Sequence, residues 1–593
     1  MNTTIDTNDY DVIIIGGGWG GIFTLKYCLE ENLKVMLLEK NNEYGGVWNI
    51  NNSPSVYANT YSVTSKYYLS ITDYPIPEDY PEFPHHSLVY EYMKNYVQHF
   101  ELEKHISLRS DVIKIYKQNQ DVKWNIIHKK GTEVIHLTAK NIALCTGQNS
   151  RCINMPNIDY SRFKGTLIHA SKFDETFRND HCLNKNVLIY GGSDTASDIA
   201  DELTNNMYSN YGKHNGHADY GYSAPGDTVT KTKTVVYMSM HKGRWFQRRN
   251  IGTNAADMLY NRTVDNTLKT IGKSSINGNF VKEVEFWWGS GGSEIKEWQP
   301  KGGYLNSYYV KSSNVINKVS LGEIIPKANI MEIKENSVVF ESIGEENEST
   351  NHTKNEVEID TIIFATGYKG MSCFYEIPDY IKNGKYYEHL FLIDDPSVVT
   401  IGFIRPYLTS IPMIIEMQAR YVSQVFANKM KLPSKKFMEY EYETMRSKQA
   451  IEFSYDYERV QGIIDPYDYM NLIGYKIGAM PNLFSILFEN PQLFYLCLFG
   501  SWSHYYFTLN NKNPNKRKIA REQILMLKDN PTSQRVSCRA KTILFTLLFD
   551  YTFEFSFYIL IILLVIIFIH YFVYSKKNSK SFIYNIKKQF LFM

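Results

Sequence analysis

No Cys-x-x-Cys pair occurs among the seven cysteines, Cys28, Cys145, Cys152, Cys182, Cys373, Cys497 and Cys538. Scattered and odd in number, they argue against a disulfide framework, a zinc site or a redox-active dithiol, and they imply a reducing compartment. Charge of neither sign is in excess: 64 Lys and Arg stand against 62 Asp and Glu, a net +2. Such a balance supplies no basic field for a nucleic-acid partner. The opening MNTTIDTNDYD lacks the basic-then-apolar order of a signal peptide. Long apolar runs are missing until residues 555–574, FSFYILIILLVIIFIHYFVY, which hold no Lys, Arg, Asp or Glu. A run of about 20 such residues has the length of a bilayer-crossing helix, and aromatics flank it as interface anchors do.

What is present is a hydrophobic content of 44% over 593 residues, enough to exclude disorder and too long a chain for one small core. Short apolar strands alternate with helical segments: 11–15, 34–40, 185–192, 234–240, 358–368 and 398–403 read as strands, and 20–31 and 196–203 as helices. That alternation predicts an α/β fold with two Rossmann-like dinucleotide-binding domains and largely parallel sheets. Polar stretches at 205–233 and 344–357 read as loops, the second as a hairpin tip.

The first unit carries Gly16, Gly18 and Gly21 as G-x-G-x-x-G between a strand and a helix, with Gly17, Trp19 and Gly20 between them. The first glycine permits the tight turn, the second lets backbone approach a diphosphate, and the third lets helix and strand pack closely. Free N–H groups at the helix start then favour phosphate. Glu39 ends the next strand, where a carboxylate accepts from ribose hydroxyls and repels a 2′-phosphate, so this site fits FAD or NAD rather than NADP. Gly45-Gly46-Val47-Trp48 follows, a turn able to pass close over a flat ligand.

The second unit keeps Gly191 and Gly192 but places Ser193 and Ala196 at the second and third glycine positions of Gly191-x-Ser193-Asp194-Thr195-Ala196-Ser197-Asp198. Alanine is tolerable at the packing position, and a serine hydroxyl can donate to phosphate. The strand after it ends in His241-Lys242-Gly243-Arg244, whose basic side chains suit a 2′-phosphate. NADPH is therefore expected here.

Between the units, Phe163-x-Gly165-x-x-x-His169-x-x-x-Phe173 resembles the fingerprint of the flavin-containing monooxygenases, the dimethylaniline N-oxide-forming type of flavoprotein monooxygenase. Gly45-Gly46-Val47-Trp48, Cys145-Thr146-Gly147, Phe364-Ala365-Thr366-Gly367-Tyr368 and the return segment 401–420 are similar to further family motifs. The resemblance implies an NADPH- and O2-dependent enzyme that oxygenates an amine nitrogen or a sulfur through a C4a-hydroperoxyflavin. It implies FAD contacts from Val47, Trp48 and Thr64, and a structural rather than proton-transferring His169. Val63 stands where the family has an asparagine that touches flavin and nicotinamide, which predicts altered coupling and no side-chain catalyst. Baeyer–Villiger relatives carry Trp where this chain has Phe173, so ketone oxygenation is the second expectation; a membrane-tethered NADPH oxidase or non-catalytic flavin binder is the third.

The expected domains are 1–160 for FAD, 161–365 for NADPH, 366–450 returning to the FAD domain, 451–540 as an extension, and 541–593 as a membrane-associated tail. Expected partners are a small nucleophilic substrate and a membrane, with no metal. Lys576, Lys577, Lys580, Lys587 and Lys588 follow the apolar run and favour a cytosolic end. The leaderless start favours a cytosolic catalytic domain on the endoplasmic reticulum or another intracellular membrane. The run 543–555, dipping into the bilayer, would reconcile the two.

Overall fold

The computed structural model describes residues 3–53, 55–117, 123–148, 152–209, 234–251, 254–263, 289–290, 295–302, 307–312, 314–343, 355–369, 376–407, 409–454 and 462–538. The chain divides into two compact units, 1–257 with 277–480, and 258–276 with 481–593.

The larger unit is built on two sheets. In the first, β1 (Thr3–Ile15) lies between Glu133–Leu144 and β2 (Val35–Leu38), parallel to both. The helix α1 (Trp19–Glu30) makes the crossover. Val12, Ile13, Ile14 and Leu37 are fully buried, as the near-continuous apolar character of a parallel strand covered on both faces requires. An antiparallel pair, Ser110–Tyr116 and Trp124–Lys130, extends from Glu133–Leu144. Val398–Thr400 adds to the far side of Glu133–Leu144 in parallel, with Val398 opposite Ile142. The chain thus returns to the first sheet after building the second.

That second sheet runs Ile324–Lys327, Val235–Ser239, Asn186–Tyr190, Thr361–Phe364, Thr166–His169, all parallel. Helix Asp194–Ser209 packs Ala196, Ile199, Ala200 and Leu203 into its core. It continues through Ser209, so the polar stretch read as loop from 205 begins as helix; Asn and Ser lower helix propensity without forbidding it. Ser337–Phe340 pairs antiparallel with Glu356–Glu358; of the expected loop 344–357, residues 344–354 lie outside the described residues and 356–357 are strand, held by that pairing.

A buried polar network ties α1 to helix Ile411–Phe426. Glu416 accepts from the Tyr27 hydroxyl at 2.7 Å and from Thr72, while Lys26 pairs with Asp73. Burial pushes the Glu416 carboxyl up, and the neighbouring Asp73 adds to this. Buried carboxylates survive only when hydrogen-bonded in this way.

In the smaller unit, helices Leu483–Glu489, Pro491–Phe499 and Pro514–Met526 start on Asn482, Asn490 and Asn513, each of whose side chains caps the helix. Asn261 Nδ2 donates to the Gly500 carbonyl at 2.7 Å, holding 258–263 to that unit. The apolar run 555–574 lies outside the described residues, and no helix among the described residues is long and apolar enough to cross a membrane.

Candidate functional site

The glycine loop after β1 is dictated by contact. A Cβ on Gly16 (φ +110°) would sit 2.5 Å from the Cys145 carbonyl, and one on Gly21 would sit 1.9 Å from the Gly16 carbonyl. Only glycine permits that approach of helix to strand. Helix α1 starts at Gly18 with no side-chain cap and no acidic residue in its first turn, so its N–H groups and partial positive charge are available to an anion. Glu39 is buried; its Oε2 accepts the Gly17 N–H at 2.6 Å and its Oε1 the Asn41 N–H at 2.9 Å. The turn Gly45–Trp48 folds back over this loop: the Gly45 N–H reaches the Gly17 carbonyl at 2.8 Å, and a Cβ on Gly46 would come within 2.9 Å of Gly18 Cα. Asn49 is the buried anchor of the turn, donating to Glu43, the Tyr44 carbonyl and the Tyr90 hydroxyl.

The expected contacts divide. Gly16, Gly17, Gly18, Gly20, Gly21 and Glu39 assemble at the carboxyl end of the first sheet, where doubly wound folds take their ligands. Trp19 belongs to the loop only through its backbone; its indole is buried against Phe23 and Tyr92. Val47 is exposed and Trp48 half-buried. Thr64 is buried, with its N–H on the Ser62 hydroxyl. Val63 is half-buried beside Ser65, whose N–H donates to Asp257 Oδ2 at 2.8 Å.

A cleft of about 1510 Å³ joins the two sheets. On one side it is lined by Gly191, Gly192, Ser193, Asp194 and Thr195 with His241, Lys242 and Arg244. On the other it is lined by Gln148, His389, Thr400, Phe403 and Arg405. Ala196 and Ser197 are buried in the helix, and neither they nor Asp198 line the cleft. Burial raises the Asp198 carboxyl to about 7, with Asp194 adding to it. Gly191 (φ +155°) could not carry a side chain: its Cβ would lie 2.3 Å from the Ala365 carbonyl. His241 and Lys242 are exposed, and Arg244 is half-buried with a long contact to the Tyr308 carbonyl.

The fingerprint is a bracket between strands. His169 Nδ1 accepts the Ser171 N–H at 3.1 Å, so Nε2 carries the proton and donates to the Gly367 carbonyl at 3.0 Å. Burial holds its pKa below the ordinary histidine value. Nε2 thereby holds the Ala365–Gly367 turn, and Nδ1 holds the turn that follows His169. Phe163 packs in a core cluster with Phe364, Gly165 has no room for a Cβ beneath the Asp360 carbonyl, and Phe173 meets Tyr57 edge-on.

Sequence reading missed Gln148, which donates to the Gly402 and Ile404 carbonyls of the returning chain. Its position directly after Cys145-Thr146-Gly147 was the available signal. It also missed the turn before helix Ile411–Phe426, where Thr409 takes φ +71° and the buried Thr409 and Ser410 hydroxyls meet no partner. Orphaned hydroxyls at an uncapped helix start, with the glycine cradle, fit a large polar ligand such as a dinucleotide. Among the described residues no group of His, Cys, Asp or Glu could hold a metal.

The family model described as flavin-binding monooxygenase-like matches residues 9–210 and 223–572. Flavin-containing monooxygenase 5 of Rattus norvegicus is 27% identical, over 87% of this chain and 92% of its own length. Dimethylaniline monooxygenase [N-oxide-forming] 2 of Cavia porcellus is 25% identical, over 87% and 91%. Among solved structures, S-allyl-L-cysteine S-oxygenase of Allium sativum superposes with a TM-score of 0.53 at 15% identity, covering 90% of this chain and 98% of its own. Cyclohexanone monooxygenase of Rhodococcus sp. Phi1 bound to NADP+ gives 0.53 at 16%, covering 80% and 98%. These structural likenesses establish the fold.

Proposed function

The chain belongs to the flavin-binding monooxygenase-like family, and from that premise we propose that its cleft brings an FAD and an NADPH together to oxygenate a soft nucleophile, an amine nitrogen or a sulfur. It is an NADPH- and O2-dependent flavin monooxygenase. The observation that supports this reading is the cleft lined by the second nucleotide unit, by Gln148 of the first sheet's domain, and by Thr400, Phe403 and Arg405 of the returning chain. When bound, NADPH supplies hydride and the flavin activates O2 toward the nucleophile.

The chain's own residues bind, orient and exclude water. The α1 N-terminus and Gly16–Gly21 cradle one diphosphate, and Glu39 exchanges its Gly17 contact for ribose hydroxyls. Thr64, Val47 and Trp48 border the flavin. Gly191–Thr195 cradle the second diphosphate, and Lys242 and Arg244 pair with the 2′-phosphate, His241 beside them. Residues 1–160 and 366–450 form the FAD domain, 161–365 the NADPH domain, and 451–540 an extension. The run 555–574 within the 541–593 tail anchors the enzyme to an intracellular membrane with its catalytic part in the cytosol; its length and lack of charge support this.

The test is NADPH oxidation by the FAD-loaded protein, with hydrogen peroxide measured in parallel, with and without a methyl sulfide or tertiary amine. Sulfoxide or N-oxide formed in place of peroxide is the expected result. A ketone converted to its ester, with no heteroatom product, would transfer the assignment to Baeyer–Villiger chemistry. Val63 offers no hydrogen bond to a neighbouring ligand, so Val63→Asn is expected to lower the fraction of NADPH lost as peroxide. An unchanged fraction would show that the site is already compensated.

A further inference from the structure

Asp194 opens the helix Asp194–Ser209 at the point where a diphosphate would approach, and a free carboxylate there would repel it. The structure answers this with Lys311. Its backbone N–H donates to Asp194 Oδ1 at 2.8 Å, and its ammonium is attracted by the charges of Asp194 and Asp257. Its Nζ donates at 2.7 Å to the carbonyl of Thr409, the left-handed residue before helix Ile411–Phe426. Asp257 in turn holds the Ser65 N–H through Oδ2, while its Oδ1 is buried without a partner. Lys311 therefore touches or faces three places at once: the head of the second nucleotide helix, the strained turn on the returning chain, and the carboxylate that anchors the Val63–Ser65 segment. Its backbone is fixed independently, since the preceding Val310 bridges the 245–247 segment through hydrogen bonds with Trp245 and Gln247.

We propose that Lys311 is a positioning residue that fixes the NADPH loop against the flavin-side turn and cancels the charge of Asp194, so that an acidic residue is tolerated where the nicotinamide dinucleotide binds. This rests on assigning the second unit to NADPH. A lone hydrogen bond would be a packing detail. A half-buried lysine whose backbone holds Asp194, whose ammonium holds the carbonyl of the left-handed Thr409, and whose charge acts on Asp194 and Asp257, is a joint between three elements. Burial holds the Lys311 pKa below the usual lysine value, with Asp194 and Asp257 opposing the shift.

The experiment uses the full-length, FAD-loaded protein and its Lys311→Met and Lys311→Arg variants. NADP+ dissociation is followed by the perturbation of the flavin absorption spectrum, and anaerobic flavin bleaching is followed at saturating NADPH. Lys311→Met is expected to weaken NADP+ binding by about tenfold, the loss of one charged partner, and to slow bleaching even at saturation. Lys311→Arg is expected to restore much of both. FAD content should be unchanged. Equal NADP+ affinity and equal bleaching in Lys311→Met, with only a lower melting temperature, would overturn the proposal. Should Lys311→Met not fold, Asp257→Asn leaves the Ser65 acceptor in place and removes one charge that Lys311 faces. Slower bleaching at saturating NADPH would then support the joint, and unchanged bleaching would overturn it. If the unaltered protein shows no spectral response to NADP+ and no bleaching by NADPH, it is the assignment of the second unit that fails, not the joint.

Discussion

His389 shows how one residue can carry a pH dependence of stability through burial alone. It lines the cleft, takes φ +56°, and its Nε2 lies 3.2 Å from Gln449 Nε2. Burial, with the nearby Arg446, lowers its pKa from 6.5 to about 4. As pH falls below 6.5 the unfolded chain takes the proton first, so stability is lost between pH 6.5 and 4. Linkage gives a loss of about 2 kcal/mol by pH 5 relative to neutral pH. His389→Asn, which tolerates the left-handed backbone, is expected to remove that part of the acid sensitivity. The check is the shift in denaturant midpoint between pH 7 and pH 5 for the two proteins. Equal shifts would place the acid-sensitive group elsewhere, Asp198, Asp257 and Glu416 being excluded because their raised pKa values destabilise on the alkaline side. At this scale the sequence named Glu39, Gly191 and Arg244 from their register after strands. It could not name Lys311, Asp257 or Gln148, whose partners are far off in the chain.

At the scale of elements, the strand–glycine loop–helix unit is fixed by the distance between α1 and β1. Gly21 faces the Gly16 carbonyl with no space for a methyl group. Gly21→Val is expected to push the helix from the sheet, destabilise the domain by about 1–3 kcal/mol or more, and leave purified protein without yellow colour. Retention of full flavin absorbance would show that the cradle tolerates displacement. The strands were legible because parallel strands covered on both faces read as apolar runs such as Val12–Ile15 and Val187–Ile189. The bounds of the helix Asp194–Ser209 were not, because its last turns are polar and give no periodic signal.

For the whole molecule, the order of elements makes the chain leave the first sheet after Leu144, build the second, and return at Val398–Thr400. The cleft exists because of that return. On the proposed anchoring by the apolar run 555–574, removing residues 541–593 is expected to move the protein from the membrane fraction to the supernatant with its flavin and NADPH oxidation intact. Continued sedimentation with membranes would assign the attachment to another surface.

The sequence by itself determined the two strand–turn–helix units and their order, because local rules govern a glycine turn between a strand and a helix. The family followed from motifs in register along one dimension. Only the tertiary structure decided that His169 is a bracket to Gly367, that Trp19 faces the core rather than the ligand, and that Asp198 turns away from the cleft. It alone brought Lys311, Asp257 and Thr409 together across 152 residues of chain. Side-chain direction and long-range charge pairing depend on how sheets close on one another, and no local pattern encodes that.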